Sequence, residues 1–172
     1  FFSNQQRNGS FIDFFGQQAD TCVFIRDHFN GNAAEAPMDM ELLPLVEQEL
    51  RDTAPKKLII LHTYGSHFRY DDRYPEDYAA FDVGGELEVS PGNRERLVAA
   101  YDNTINYTDA FLDRLIGCLD SVSPQNVAGL IYTSDHGEDI YDDDTRQFLH
   151  ASPLPSIHQV SVPFILWLSD GY

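Results

Sequence analysis

Residues 57–63 and 127–133 are two short apolar runs, and each ends in a segment crowded with histidine and carboxylate side chains. The first is bounded by Pro55 and Gly65 and has the continuity of a strand buried on both faces. The second runs straight into Ser134-Asp135-His136-Gly137-Glu138. Between them, residues 93–122 carry Leu97, Tyr101, Ile105, Thr108, Phe111, Leu112, Leu115, Ile116 and Leu119 at helical spacing, and Ser123-Pro124 ends the pattern. A last strand-like run occupies residues 160–168. Strands alternating with helices predict an α/β fold, with a mixed or mostly parallel central sheet flanked by helices. Ligands of such sheets sit beyond the carboxyl ends of the strands, so the two histidine-bearing loops are expected to meet at one edge.

The rest of the chain supplies smaller elements. Residues 1–6 read as the end of a strand, and Ser10 as the N-cap of a short helix carrying Phe11, Ile12, Phe14 and Phe15. Residues 21–25 read as a short buried strand. Asp39 stands where it would cap a helix bearing Leu42, Leu43, Val46 and Leu50. Residues 64–93, rich in Asp, Tyr, Pro and Gly, form a long irregular excursion, which in a compact domain is usually functional. No stretch approaches the roughly 20 apolar residues of a membrane-spanning helix. The chain starts at Phe1 rather than Met, and both ends lie in or beside strand-like segments. It is therefore expected to be one partial domain, residues 1–172, cut from a longer protein.

Composition narrows the function. With 42% hydrophobic and 13% aromatic residues, the 172-residue chain has the material for an ordered core. Its 11 basic and 28 acidic residues give a net charge of −17, which excludes a nucleic-acid-binding surface. Two cysteines, Cys22 and Cys118, make neither a disulfide scaffold nor a zinc ribbon.

Asp135 and His136 together offer one oxygen and one nitrogen to a zinc ion, and the ordinary alternative is a strand-end turn. His62 and His67 flank the exit of the first run, and His150 follows the acidic segment. A lone histidine is more often structural, but four of the six fall in loops expected to share one sheet edge. His28 and His158 have no such context and read as surface residues. Glu138 is a candidate for orienting a ligand from behind it. His62 is the weaker candidate for such a role, the alternative being a buried structural imidazole. The acidic runs Asp71-Asp72 and Asp142-Asp143-Asp144 lack an EF-hand pattern and read as solvated faces.

Asp135-His136-Gly137-Glu138 now stands beside Gly65-Ser66-His67, Tyr70, Arg73-Tyr74-Pro75 and Tyr101-Asp102-Asn103. With Leu149-His150, Gln159 and Val162-Pro163 behind them, and Ser3-Asn4-Gln5-Gln6 ahead, the set resembles the phosphoethanolamine transferases. These are inner-membrane enzymes of Gram-negative bacteria within the alkaline phosphatase and sulfatase superfamily. The resemblance covers essentially the whole chain in the right order. It implies a sulfatase-like sheet, here in its C-terminal portion, belonging to a periplasmic domain that a separate segment anchors to the membrane. It also implies that zinc binds Asp135 and His136, while His67 and His150 bind the transferred phosphoryl group or a second zinc. The reaction implied moves phosphoethanolamine from phosphatidylethanolamine, through a threonine-bound intermediate, to a lipopolysaccharide acceptor (lipid A or core).

One departure matters. In that family the nucleophilic threonine and a further acidic ligand precede the matching region, and no threonine here stands in the corresponding motif. The chain alone is therefore expected to be inactive. The competing readings are a sulfatase, phosphodiesterase or phosphoglycerol transferase of the same superfamily, and, from another class, a non-catalytic acidic cation-binding module.

Overall fold

The structure is a computed structural model that describes residues 1–9, 11–32 and 35–172. Its elements run β1 (Phe2–Ser3), α1 (Phe11–Gly16), β2 (Val23–Phe24), α2 (Leu43–Arg51), β3 (Leu61–His62), α3 (Arg94–Val122) and β4 (Gly129–Thr133). They continue through β5 (Asp139–Ile140), β6 (Phe148–Leu149), α4 (Ile157–Val160) and β7 (Phe164–Leu168). Strands β2, β1 and β3 form a parallel sheet in that order, with Phe2 beside both Val23 and Leu61. Strands β4 and β7 are antiparallel, with Thr133 opposite Phe164 and Gly129 opposite Leu168. A third, two-stranded antiparallel pair joins β5 to β6.

Helix α3 is the beam on which this rests. Its 29 residues span roughly 44 Å at 1.5 Å per residue. Phe111, Leu112 and Leu115 meet Leu42, Leu43 and Val46 beside α2, and Phe2 joins the same cluster. Ile59 and Leu61 from the β3 side, and Leu130 and Tyr132 from β4, pack on that same helical layer. Nearer its start, Leu97 and Ala100 hold Tyr70, Leu87 and Ile140, which ties the irregular segment 64–93 to the body. Apolar burial of this kind contributes about 25 cal/mol per Å², so these two clusters carry the fold.

Several expectations are corrected. Of residues 57–63 only Leu61–His62 joins a ladder, and Leu58 is 83% exposed. In β4, alternate residues face outward and Ile131 is 67% exposed. The helical layer covers one face of each run, and on the other face Leu58, Ile60 and Ile131 stay exposed. The strands divide into one parallel sheet of three and two separate antiparallel pairs. After β4 the chain turns back through β5, β6 and α4 and returns from the same end, which makes β7 antiparallel without a crossover. Strands β3 and β4 are not paired neighbours; they share helices, not hydrogen bonds. Asp39 does not cap a helix: it opens a 3-10 turn, Asp39–Leu42, ahead of α2, with Met38 at the cap position. The short aromatic helix forms at α1, and its proposed cap, Ser10, lies outside the described residues. Asp142 and Asp71 are not merely solvated, since Asp142 pairs with Arg94 at 2.6 Å and Asp71 with Arg69 at 3.2 Å.

Candidate active site

Strand β4 delivers Ser134 and the Asp135–Glu138 loop to the carboxyl edge of its sheet. The loop is locked against α4. Gly137 donates its N–H to the Gln159 carbonyl at 2.8 Å, and a Cβ at this position would lie 2.0 Å from the His158 carbonyl oxygen. Only glycine fits there. The next residue but one, Asp139, is fully buried and accepts hydrogen bonds from Ser156 Oγ at 2.7 Å and from Gln159 Nε2. Gln159 Nε2 also donates to Gln147 Oε1 at 3.0 Å, so α4 and the β5–β6 turn hold the loop together.

Three histidines converge. The rings of His136 and His150 stack with centroids 3.7 Å apart, and His67 stands edge-on to His150 at 6.3 Å. In each ring Nδ1 is already engaged. His67 Nδ1 donates to the Phe68 carbonyl at 2.6 Å and His136 Nδ1 to the Gly137 carbonyl at 2.9 Å. His150 Nδ1 lies 2.9 Å from Glu138 Oε1. With Nδ1 taken, Nε2 is the atom each ring presents: a lone pair for a cation, or an N–H for a phosphoryl oxygen once the ring takes a proton.

Glu138 is the hub. It is buried, its Oε1 is also 3.9 Å from His136 Nδ1, and its Oε2 has no hydrogen-bond partner. Burial raises its carboxyl above the usual range, and the charges of His150, His136 and His67 pull it back. One candidate ligand atom from each of His136, Glu138 and His150 lies within 4.8 Å of the other two. Two imidazoles and a buried carboxylate with an idle oxygen are a donor set that suits zinc. Asp135 sits at the rim, its carboxylate 87% exposed and 3.8 Å from His136 Nε2. A cleft of about 350 Å³ opens between Asp135, His136, His150, Ser152 and Gln159.

His62 takes a different place. On β3 its Nδ1 lies 3.0 Å from Ser3 Oγ, and burial lowers its pKa against the pull of Asp135 and Asp39. It belongs to the parallel sheet, not to the histidine cluster. His28 and His158 are exposed. What sequence reasoning missed is the support around His67. Asp39 accepts from the backbone N–H groups of Tyr64 and Gly65, at 2.8 and 2.9 Å, and from Asn4 Nδ2 at 2.7 Å. No local pattern signals a bond between residues 25 or more positions apart.

The whole chain, residues 1–172, matches the family model described as Sulfatase. It is 34% identical over 177 residues to phosphoethanolamine transferase EptC of Escherichia coli O18:K1:H7, covering 99% of the chain and 30% of that protein. It is 37% identical over 137 residues to the Kdo(2)-lipid A phosphoethanolamine 7''-transferase of Escherichia coli K12, covering 78% of the chain and 23% of that enzyme. In three dimensions it is similar to the crystal structure of the C-terminal periplasmic domain of Escherichia coli EptC in complex with Zn. That match has a TM-score of 0.83 and 32% identity, over 98% of this chain and 48% of the other. The soluble domain of lipooligosaccharide phosphoethanolamine transferase A from Neisseria meningitidis aligns at TM-score 0.69 and 31% identity, over 77% and 40% of the two chains. The chain thus spans less than a third of the curated relatives, and it belongs to the sulfatase family, its relatives there being phosphoethanolamine transferases.

Proposed function

We propose that this chain is part of the periplasmic catalytic domain of a zinc-dependent phosphoethanolamine transferase, which takes its group from phosphatidylethanolamine and passes it to lipid A or core lipopolysaccharide. The observation that carries the reading is the convergence of His67, His136 and His150 round buried Glu138, on a chain 34% identical to EptC. The relatives named above are transferases, which favours transfer over sulfate-ester hydrolysis. The imidazole cluster favours a catalytic site over a carboxylate-only cation module.

In this reading Asp135 and His136 would hold zinc on the Nε2 side of the His136 ring, with Glu138 behind it on the Nδ1 side. Zinc bound there supplies Lewis-acid neutralisation of phosphoryl oxygen charge. The protein's own groups do the rest. Glu138 fixes the ring of His150 through Nδ1 and so aims Nε2 into the cleft. His67, its Nδ1 bound to a carbonyl, presents Nε2 from the facing loop. Protonated, His67 and His150 donate to phosphoryl oxygens as charge grows on them, which lowers the barrier only while both rings are held still. The attacking hydroxyl is supplied by a residue outside the matching motifs of this chain.

The test uses a fluorescent phosphatidylethanolamine analogue, a lipid A acceptor and the complete protein that carries this chain. His136→Ala is expected to lower transfer by about 10²-fold or more, as loss of a residue acting on transition-state charge does. Residues 1–172 alone, with excess zinc, are expected to give no turnover. Turnover of the isolated chain that His136→Ala abolishes would place a nucleophile within it.

A further inference from the structure

The segment that carries His67 is gripped from beneath by an arrangement that the chemistry above does not use. The ring of Tyr64 meets the imidazole of His67 edge-on, with centroids 5.2 Å apart and planes at 79°. Two guanidinium groups lie on the same Tyr64 ring: the Cζ atoms of Arg26 and Arg73 are 4.2 and 4.1 Å from its centroid. Both arginines are buried. Neither forms an ion pair with a carboxylate among the described residues, although the chain has 28 acidic side chains to offer. Their hydrogen bonds go to neutral oxygens instead. Arg26 donates to Asn4 Oδ1 at 2.9 Å and to the Pro37 carbonyl at 2.7 Å. Arg73 donates to the carbonyl of His67 itself at 2.8 Å, and its Nη1 is buried without a partner.

We propose that Tyr64 is a positioning residue for His67, its ring fixed by the guanidinium groups of Arg26 and Arg73. The inference rests on the reading that His67 acts at the phosphoryl group. Asp39 and Glu41 act on Arg26 only from beyond ion-pair distance, and a desolvated guanidinium in that position gains further negative potential from an aromatic face. The ring that receives the two cations has its own backbone N–H on Asp39, so it cannot slide. Arg73 also holds the His67 carbonyl, so the imidazole is steadied from both its ring and its backbone. The contacts use the face and edge of the Tyr64 ring, not its hydroxyl. Phenylalanine should therefore serve, and leucine, apolar but without a π-face, should not.

The experiment is a double-mutant cycle on transfer by the complete protein. Tyr64→Leu is expected to lower kcat about tenfold or more with little change in KM, as a misplaced reacting group does. Tyr64→Phe is expected to stay within about twofold of the parent. On a His67→Ala background, Tyr64→Leu should cost almost nothing further, because the ring it would displace is gone. Should Tyr64→Leu fail to fold, Arg26→Gln, which keeps a donor for Asn4, takes its place in the cycle with the same expected non-additivity. Equal losses for Phe and Leu would overturn the role of the ring face. A full additive loss on the His67→Ala background would overturn the link to His67 while leaving the transferase reading intact. Unchanged transfer in His67→Ala alone would remove the role of His67 at the phosphoryl group, and the proposal with it, while the transferase reading stands.

Discussion

Gly137 is the residue with least room to change. Its missing side chain lets the Asp135–Glu138 loop press against the backbone of α4, and the His158 carbonyl would overlap any added carbon. Backbone cannot step aside as a flexible side chain can. Gly137→Ala is expected to destabilise by about 3 kcal/mol, the upper end for forced overpacking, read from urea midpoints. Glu138 is the second sensitive position. Glu138→Gln keeps the shape but removes the charge that faces two imidazoles, and zinc affinity should fall about 10- to 100-fold in competition with a chelator. His62 gives a third test, in acid. Its folded pKa lies below the ordinary 6.5, so the unfolded chain binds its proton first. Stability from this group is full above 6.5 and falls as pH drops from there to the lower folded value. His62→Gln should flatten that part of the stability–pH curve relative to the parent; an unchanged slope would mean that the ring is not desolvated. Two of the three rings, His67 and His136, were legible in the sequence because they follow the ends of apolar runs, and His150 because Leu149-His150 belongs to the set that resembles the family. Glu138 was legible as a residue that orients a ligand, but not its partner, because the contact depends on burial and on His150 arriving from another strand pair.

Among the elements, α3 was readable almost to the residue, since apolar side chains return every three or four positions through all its turns. The strands were readable in place but not in extent. Their apolar runs showed where backbone would extend, while the covering of their second face is decided by distant chain. Asp39 shows the same limit from another side. Its position before Leu42 suggested a cap, yet its carboxylate serves three donors that two other elements bring to it. Replacing it with alanine leaves the N–H groups of Tyr64 and Gly65 and the Asn4 amide without their acceptor. Asp39→Ala is expected to cost about 3 kcal/mol or more, since hydrogen bonds to a charged acceptor are worth about 1.5–3 each. Thermal or urea unfolding checks the value. A loss below about 1 kcal/mol would show that water replaces the carboxylate freely.

Taken whole, the molecule shows an apolar surface on one side of its sheets, with Leu58, Ile131, Phe164 and Leu166 all exposed. Patches of this kind drive association in solution. The isolated chain should self-associate despite its charge of −17, and more strongly as salt screens that charge. Ile131→Lys together with Phe164→Lys should restore a monomer in light scattering without lowering the unfolding midpoint. The same architecture has a mechanical side. Strands β3 and β4 are joined through interleaved side chains of α2 and α3, not through a common ladder. A joint of that sort yields like a cushion, whereas hydrogen-bonded strands move as plates. Warming should therefore widen the gap between the loop bearing His67 and the loop bearing His136 while each plate stays whole. The separation of His67 from His150 would lengthen at a temperature where circular dichroism still reports every helix intact.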